Sequence, residues 1–269
     1  MRTLHAVIEV ARQTAALQLQ NRLFRMLPIA LLGAAAIVFL VGTDPPHALS
    51  GRKLFAVVSW WLVANVLLPW TTMYFGVQAV HGDVEDRTFQ YLFLRPVYRW
   101  AIYLGKVLAV AGLSAATHAV GMAMVFLAGA AHADMWADGL EYDMLIVFAQ
   151  ACMLLGVAYA AVAALFGAWF KRPLVWSAAF ILFGQVFLAN LPAKAGIRHA
   201  TIADPVRRFV FDRIDLGDNL SRALWPAERN FREELIGEPL LDLSILVAVA
   251  LALGMLVYSR SEYDSRERE

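Results

Sequence analysis

The sequence predicts an all-α, polytopic integral membrane protein with six transmembrane helices, an N-terminal amphipathic interfacial helix and a cytoplasmic helix between spans two and three. Three observations carry this. Of 269 residues, 60% are hydrophobic and 17% charged, too apolar a mixture for a soluble domain to clothe its surface. Six apolar stretches approach the roughly 20 residues that cross about 30 Å of hydrocarbon. Lysines and arginines gather on alternate connections, as they do on the cytoplasmic side of a membrane.

Residues 1–25 come first. Leu4, Val7, Ile8, Ala11, Ala15 and Leu19 recur at helical spacing, while Arg2, Glu9, Gln13 and Gln20 take the other face. That pattern describes a helix lying along the inner membrane surface. The six spans follow as Met26–Val41, Leu54–Val80, Val107–Ala131, Met144–Phe170, Leu174–Leu191 and Leu240–Tyr258. The first is short and carries Pro28, and Leu23 and Phe24 lengthen it. Its distance from the start of the chain argues against a cleaved leader. The whole is read as a single transmembrane domain, with a cytoplasmic segment at 81–106 and an outer segment at 192–239.

Orientation follows from charge. Arg2, Arg12, Arg22 and Arg25 precede the first span; Arg87, Arg95, Arg99 and Lys106 occupy the second connection, Lys171 and Arg172 the fourth, and Arg260, Arg266 and Arg268 the tail. Across the membrane the first connection has Arg52 and Lys53, and the third has only acids, Asp134, Asp138, Glu141 and Asp143. Both termini are therefore expected in the cytoplasm, in a multi-pass protein of a bacterial inner membrane. The outer segment resists, with eight basic residues between Pro192 and Pro239, although long connections translocate with less regard to charge.

Composition and motifs narrow the function. A net charge of +1 gives no reason to expect a nucleic-acid partner. The lone Cys152, inside an apolar run, excludes an internal disulfide framework or a cysteine metal cage and reads as a small core residue. The only Gly-Lys, at Gly105-Lys106, lacks the spacing of a phosphate-binding loop, so ATP is not expected on this chain through that motif. The spans hold almost no ionisable residues of the kind that ion-coupled carriers keep at depth. Asp242 sits near the outer start of the last, and His118, in the third, reads first as a hydrogen-bonded packing residue and second as a proton relay or haem ligand. Energy from another polypeptide is the simplest account. Asn65, Thr71 and Thr72 on the second span, with Gln185 and Asn190 on the fifth, are the candidate pathway residues. For the second span, a dimer interface and intrahelical bonding at the Pro69 kink stand level.

The segment after the second span reads His81-Gly82-Asp83-Val84-Glu85-Asp86-Arg87-Thr88-Phe89-Gln90-Tyr91-Leu92-Phe93-Leu94-Arg95-Pro96, and later Leu104-Gly105-Lys106. Its acids suit a helix N-terminus, Phe89, Leu92 and Phe93 share a face, and Pro96 ends the element. An apolar face in the cytoplasm needs a cover, and charges of both signs at its ends favour a protein partner. Acidic residues, Arg-Thr, an aromatic-leucine patch, Arg-Pro and Leu-Gly-Lys in this order resemble the permeases of type-2 ABC exporters. The layout is also similar to that of the permeases that serve nitrous oxide reductase copper-site maturation. Two features depart from the family pattern: Arg87-Thr88 stands where Gly-Thr is usual, and the outer segment is longer and more basic.

The resemblance implies that Glu85, Asp86, Arg87, Thr88, Phe89, Leu92, Arg95 and Pro96 form the coupling helix that docks on a separate ATPase. It implies two ABC ATPase subunits holding ATP and Mg, a second copy of the permease, surrounding lipid, room for an outer accessory protein, and a chain that is itself no enzyme and carries no cofactor or metal. Two rivals share the sequence: a membrane anchor that recruits an ATPase for signalling or envelope remodelling, and an intramembrane enzyme built on Glu233-Glu234, which lacks the arginine and the later histidines that such enzymes carry.

Overall fold

A computed structural model describes residues 2–42, 50–85, 98–132, 142–188, 201–214, 224 and 238–260. Helix α1 (Arg2–Gln20) is followed by α2 (Arg22–Gly42). A continuous helix then runs through α3 (Gly51–Val57), a π-helical stretch Val58–Leu67 and α4 (Leu68–Glu85). After it come α5 (Arg99–Ala130), α6 (Tyr142–Trp169), α7 (Pro173–Ala179) with a second π-helical stretch Phe180–Leu188, α8 (Ala203–Arg213) and α9 (Pro239–Arg260).

Among the described residues, five helices are long and apolar enough to cross a membrane: Arg22–Val41, Gly51–Gly82, Arg99–Ala130, Tyr142–Trp169 and Pro239–Arg260. The fifth expected span is represented by a shorter apolar helix, Pro173–Gln185. Boundaries move where local chemistry dictates. The first span starts at Arg22 rather than Met26, because Asn21 interrupts the chain and its side-chain oxygen accepts from the Leu23 N–H (3.0 Å), capping α2. Arg25 closes α1 by donating to the Gln20 carbonyl (2.7 Å).

The 32-residue helices Gly51–Gly82 and Arg99–Ala130 measure about 48 Å each, well beyond the hydrocarbon thickness. The ends of α4 and α5 can therefore stand clear of the lipid core, which is where Lys106 and Arg99 sit. Helix α6 is the axis of the bundle: Ala151, Ala158, Ala160, Ala161, Ala163 and Ala164 along it are all essentially buried. Apolar side chains gain little by leaving lipid for protein, so helices associate by close van der Waals fit, and small residues permit it. At Gly76 of α4 a Cβ would collide with the Cβ of Ala163, and at Gly167 of α6 it would press on Val80 (3.1 Å).

Helix α1 is more than the lipid-facing helix its pattern announces. Val7, Thr14 and Gln18 are buried against the bundle, with Ala11 between them, while Leu4, Ile8, Leu17 and Leu19 remain exposed. Trp60 is a core residue beside Val63 and Ala64, whereas Trp70, Trp100 and Trp176 are exposed. Cys152 is buried in the core.

The α4–α6 contact has a direct test. Gly76→Val should destabilise the folded protein by about 3 kcal/mol or more, since the obstructing atom is a Cβ that no rotamer can move. Gly112→Ala, with open space around the new methyl, should be tolerated. Size-exclusion profiles and melting temperatures in detergent would separate the two.

Candidate functional site

The functional candidate is the segment at 81–106. The structure describes the two helix ends that carry it, while Asp86, Arg87, Thr88, Phe89, Leu92, Arg95 and Pro96 lie outside the described residues. Glu85 is the last residue of α4. Around these ends, buried polar side chains reach the backbone of a neighbouring helix. Lys106 of α5, buried, donates from Nζ to the Ala79 carbonyl of α4 (2.5 Å). Gln18 of α1 donates from Nε2 to the Phe75 carbonyl one turn earlier (3.3 Å). His81 places Nδ1 3.2 Å from the Gly167 carbonyl of α6. Since a carbonyl only accepts, this nitrogen carries the proton. Arg99 at the start of α5 donates to the Ser259 carbonyl at the end of α9 (3.1 Å).

These bonds gather the ends of α1, α4, α6 and α9 with the start of α5 at one end of the bundle. Each interhelical bond contributes about 0.6 kcal/mol on average in membrane proteins. Together they hold the two ends flanking the 86–97 segment in a fixed relation. Gly105 completes the joint, because a Cβ there would meet the Val7 carbonyl (2.7 Å) and Val10 (2.8 Å) of α1. The Gly105-Lys106 pair thus has two physical duties: glycine seats the surface helix, and lysine ties α5 to α4.

The pathway candidates divide. Asn65 donates to the Trp60 carbonyl (2.7 Å) and Thr71 to the Leu67 carbonyl (2.6 Å), both within their own helix. Thr72 instead faces Ser114 of α5 (2.5 Å). Ser114 neighbours His118, whose Nδ1 donates to the Ser114 carbonyl (2.8 Å) and whose Nε2 lies 3.3 Å from the Thr71 hydroxyl. A narrow crevice between α1, α2, α4 and α5 is lined by Gln18, Thr71, Thr72, Ser114 and His118. Gln185 accepts from the Ala203 N–H (3.2 Å), joining the second π-helical stretch to α8; Asn190 lies outside the described residues.

At the opposite end sits a charge cluster that the sequence reading did not assemble. Buried Arg208 and Asp204 of α8 pair through Nε and Oδ2 (3.2 Å), and Arg208 reaches Asp242 at the start of α9 (2.6 Å). Arg207 also pairs with Asp204. Two of the eight basic residues that resisted an outer placement are thereby neutralised locally. The available signal was Asp242, a lone acid opening an apolar helix. For Gln18 it was the i+4, i+3, i+4 series Val7, Ala11, Thr14, Gln18, and for Ser114 and His118 their i, i+4 spacing.

A family model described as ABC-2 family transporter protein matches residues 4–207, which spans α1 through the first turns of α8. The chain belongs to the ABC-2 transporter family. It is a multi-pass membrane protein and the permease component of an ABC transporter, and membership implies association with an ABC ATPase subunit. No individual curated protein matches it. The matched span contains every joint of this ABC-2 permease around the 81–106 segment except the Arg99–Ser259 bond, which reaches into α9 beyond it.

The seating of α1 predicts a local effect. Gly105→Val should weaken its docking by about 1.4 kcal/mol or more, exposing the cleavage site at Arg12 about tenfold more often. Limited trypsinolysis of the purified protein would read this as faster loss of the first twelve residues, and an unchanged rate would show that α1 is held elsewhere.

Proposed function

We propose that this permease takes its energy from two ABC ATPase subunits that dock on the 81–106 segment, and that it works as a homodimer exporting a substrate across the inner membrane. The observation that supports this best is the braced base of the segment. A pull on 86–97 acts on helix ends that Lys106, His81 and Gln18 bind to α1, α5 and α6. It would therefore move the long helices as units rather than unravel a loop. Glu85, Asp86, Arg87 and Arg95 supply docking charges, Thr88 a polar contact, Phe89 and Leu92 the apolar contact, and Pro96 closes the docking helix. ATP and Mg belong to the partner.

Six crossings with both termini cytoplasmic fit this reading. The short helix starting at Pro173 borders His81 at the base, and its Gln185 meets α8 at the other end, so it links the same two ends as the longer spans. The basic residues at the ends of α1, α6 and α9 then face the cytoplasm. Asn65, Thr71, Thr72, Gln185 and Asn190 are the proposed pathway residues, opening toward the second copy when the spans rock.

Co-expression with genomic neighbours tests the docking. An ATPase should co-purify with the wild-type chain in mild detergent, and Glu85→Lys with Phe89→Ala should cut its recovery by about tenfold or more while the permease keeps its size-exclusion profile. Absence of any ATPase from the wild-type preparation would remove the motor from this reading.

A further inference from the structure

Beside the base just described, α4 and the α6–α7 turn enclose a cleft of about 210 Å³ that the transport reading does not use. Gln78, His81 and Gly82 line one side; Lys171, Arg172 and Leu174 line the other. The Lys171 and Arg172 side chains are exposed, and neither forms an ion pair with a described residue. Among the described residues, no acidic side chain lines the cleft.

His81 is buried, and its bond to the Gly167 carbonyl fixes it in the wall. Continuous with the cleft is an apolar flank: Leu174, Val175 and Trp176 are exposed. Trp169, Phe170 and Trp176 form a stacked run with ring centroids 6.2 and 5.1 Å apart. Exposed indole rings of this kind mark the level of lipid headgroups. A basic cleft at headgroup level, opening onto an apolar wall, matches one molecule along its length: a phosphate at one end and an acyl chain at the other.

We propose that this cleft binds the headgroup of an anionic phospholipid of the inner leaflet, its phosphate held by Lys171 and Arg172 and its acyl chain lying along Leu174 to Trp176. A free phosphate would satisfy the two cations but leave the aromatic flank without a role. The bound lipid would brace α4 one turn before the 86–97 segment, against the first turn of α7. The choice of leaflet rests on the orientation proposed above, but the proposal holds whether or not an ATPase docks on 86–97.

The experiment uses the full-length protein, delipidated in neutral detergent and titrated separately with phosphatidylglycerol, phosphatidylcholine and inorganic phosphate under native mass spectrometry. Wild type should retain phosphatidylglycerol in preference to phosphatidylcholine. Lys171→Gln with Arg172→Gln should weaken that retention by about thirtyfold, for two basic contacts at a membrane surface. Arg12→Gln with Arg22→Gln, which removes the same charge from the same side, should change it less than about twofold. The same lipid should raise the melting temperature of wild type and of the Arg12/Arg22 variant but not of the Lys171/Arg172 variant. Equal retention of the two lipids, an equal loss in both double variants, or displacement of phosphatidylglycerol by inorganic phosphate at matched concentration would overturn the proposal.

Discussion

The architecture depends on how closely α4 can approach α6. In lipid there is little to gain by hiding one apolar side chain against another, so the contact must be won by short distances over many atoms. Gly76 against Ala163 and Gly167 against Val80 provide those distances. Once α4 lies at this range, the Gly167 carbonyl falls within reach of His81, and the Ala79 and Phe75 carbonyls face α5 and α1 at ranges a lysine and a glutamine can span. Small residues set the geometry, and polar side chains then fix the register.

The two ends of the bundle handle charge in opposite ways. At the base, Lys106 and Arg99 donate to backbone carbonyls, and further cations stay in the open at Lys171, Arg172 and Arg260. At the far end, charges of both signs are folded inward, with Arg208 held between Asp204 and Asp242. Burying such a cluster is costly unless each charge is met, and here α8 and α9 each supply part of the answer. A simple count of cations along residues 192–239 cannot see this internal compensation.

Much of the fold was legible in the sequence because lipid imposes long apolar runs. The limits Tyr142–Trp169 and Pro239–Arg260 lie within two residues of those read from hydropathy alone. What escaped was the identity of contacts. Periodicity placed Val7 and Ile8 on one apolar face, yet the structure buries the first and leaves the second exposed, since helix packing distinguishes neighbours that hydropathy does not. Asn65 bonds within its own helix, Thr71 does so while also approaching His118 of α5, and Thr72 meets Ser114, contacts that depend on which way α5 turns its side chains. Gly105 and Lys106 stood out as a motif, but their work, seating one helix and tying another, appears only when α1 and α4 are in place.

The π-helical stretch Val58–Leu67 has a consequence of its own. Each of its turns holds about one residue more than an α turn, so the helix that ends at Glu85 carries surplus chain within its span. That surplus can slide along the helix as a travelling hump, with no span broken and no hydrogen-bonded turn lost outright. Passing one residue, it would turn that residue's side chain by about 100° about the axis while the two halves beyond keep their mutual orientation. A helix of this form is less a rod than a screw with slack in its thread.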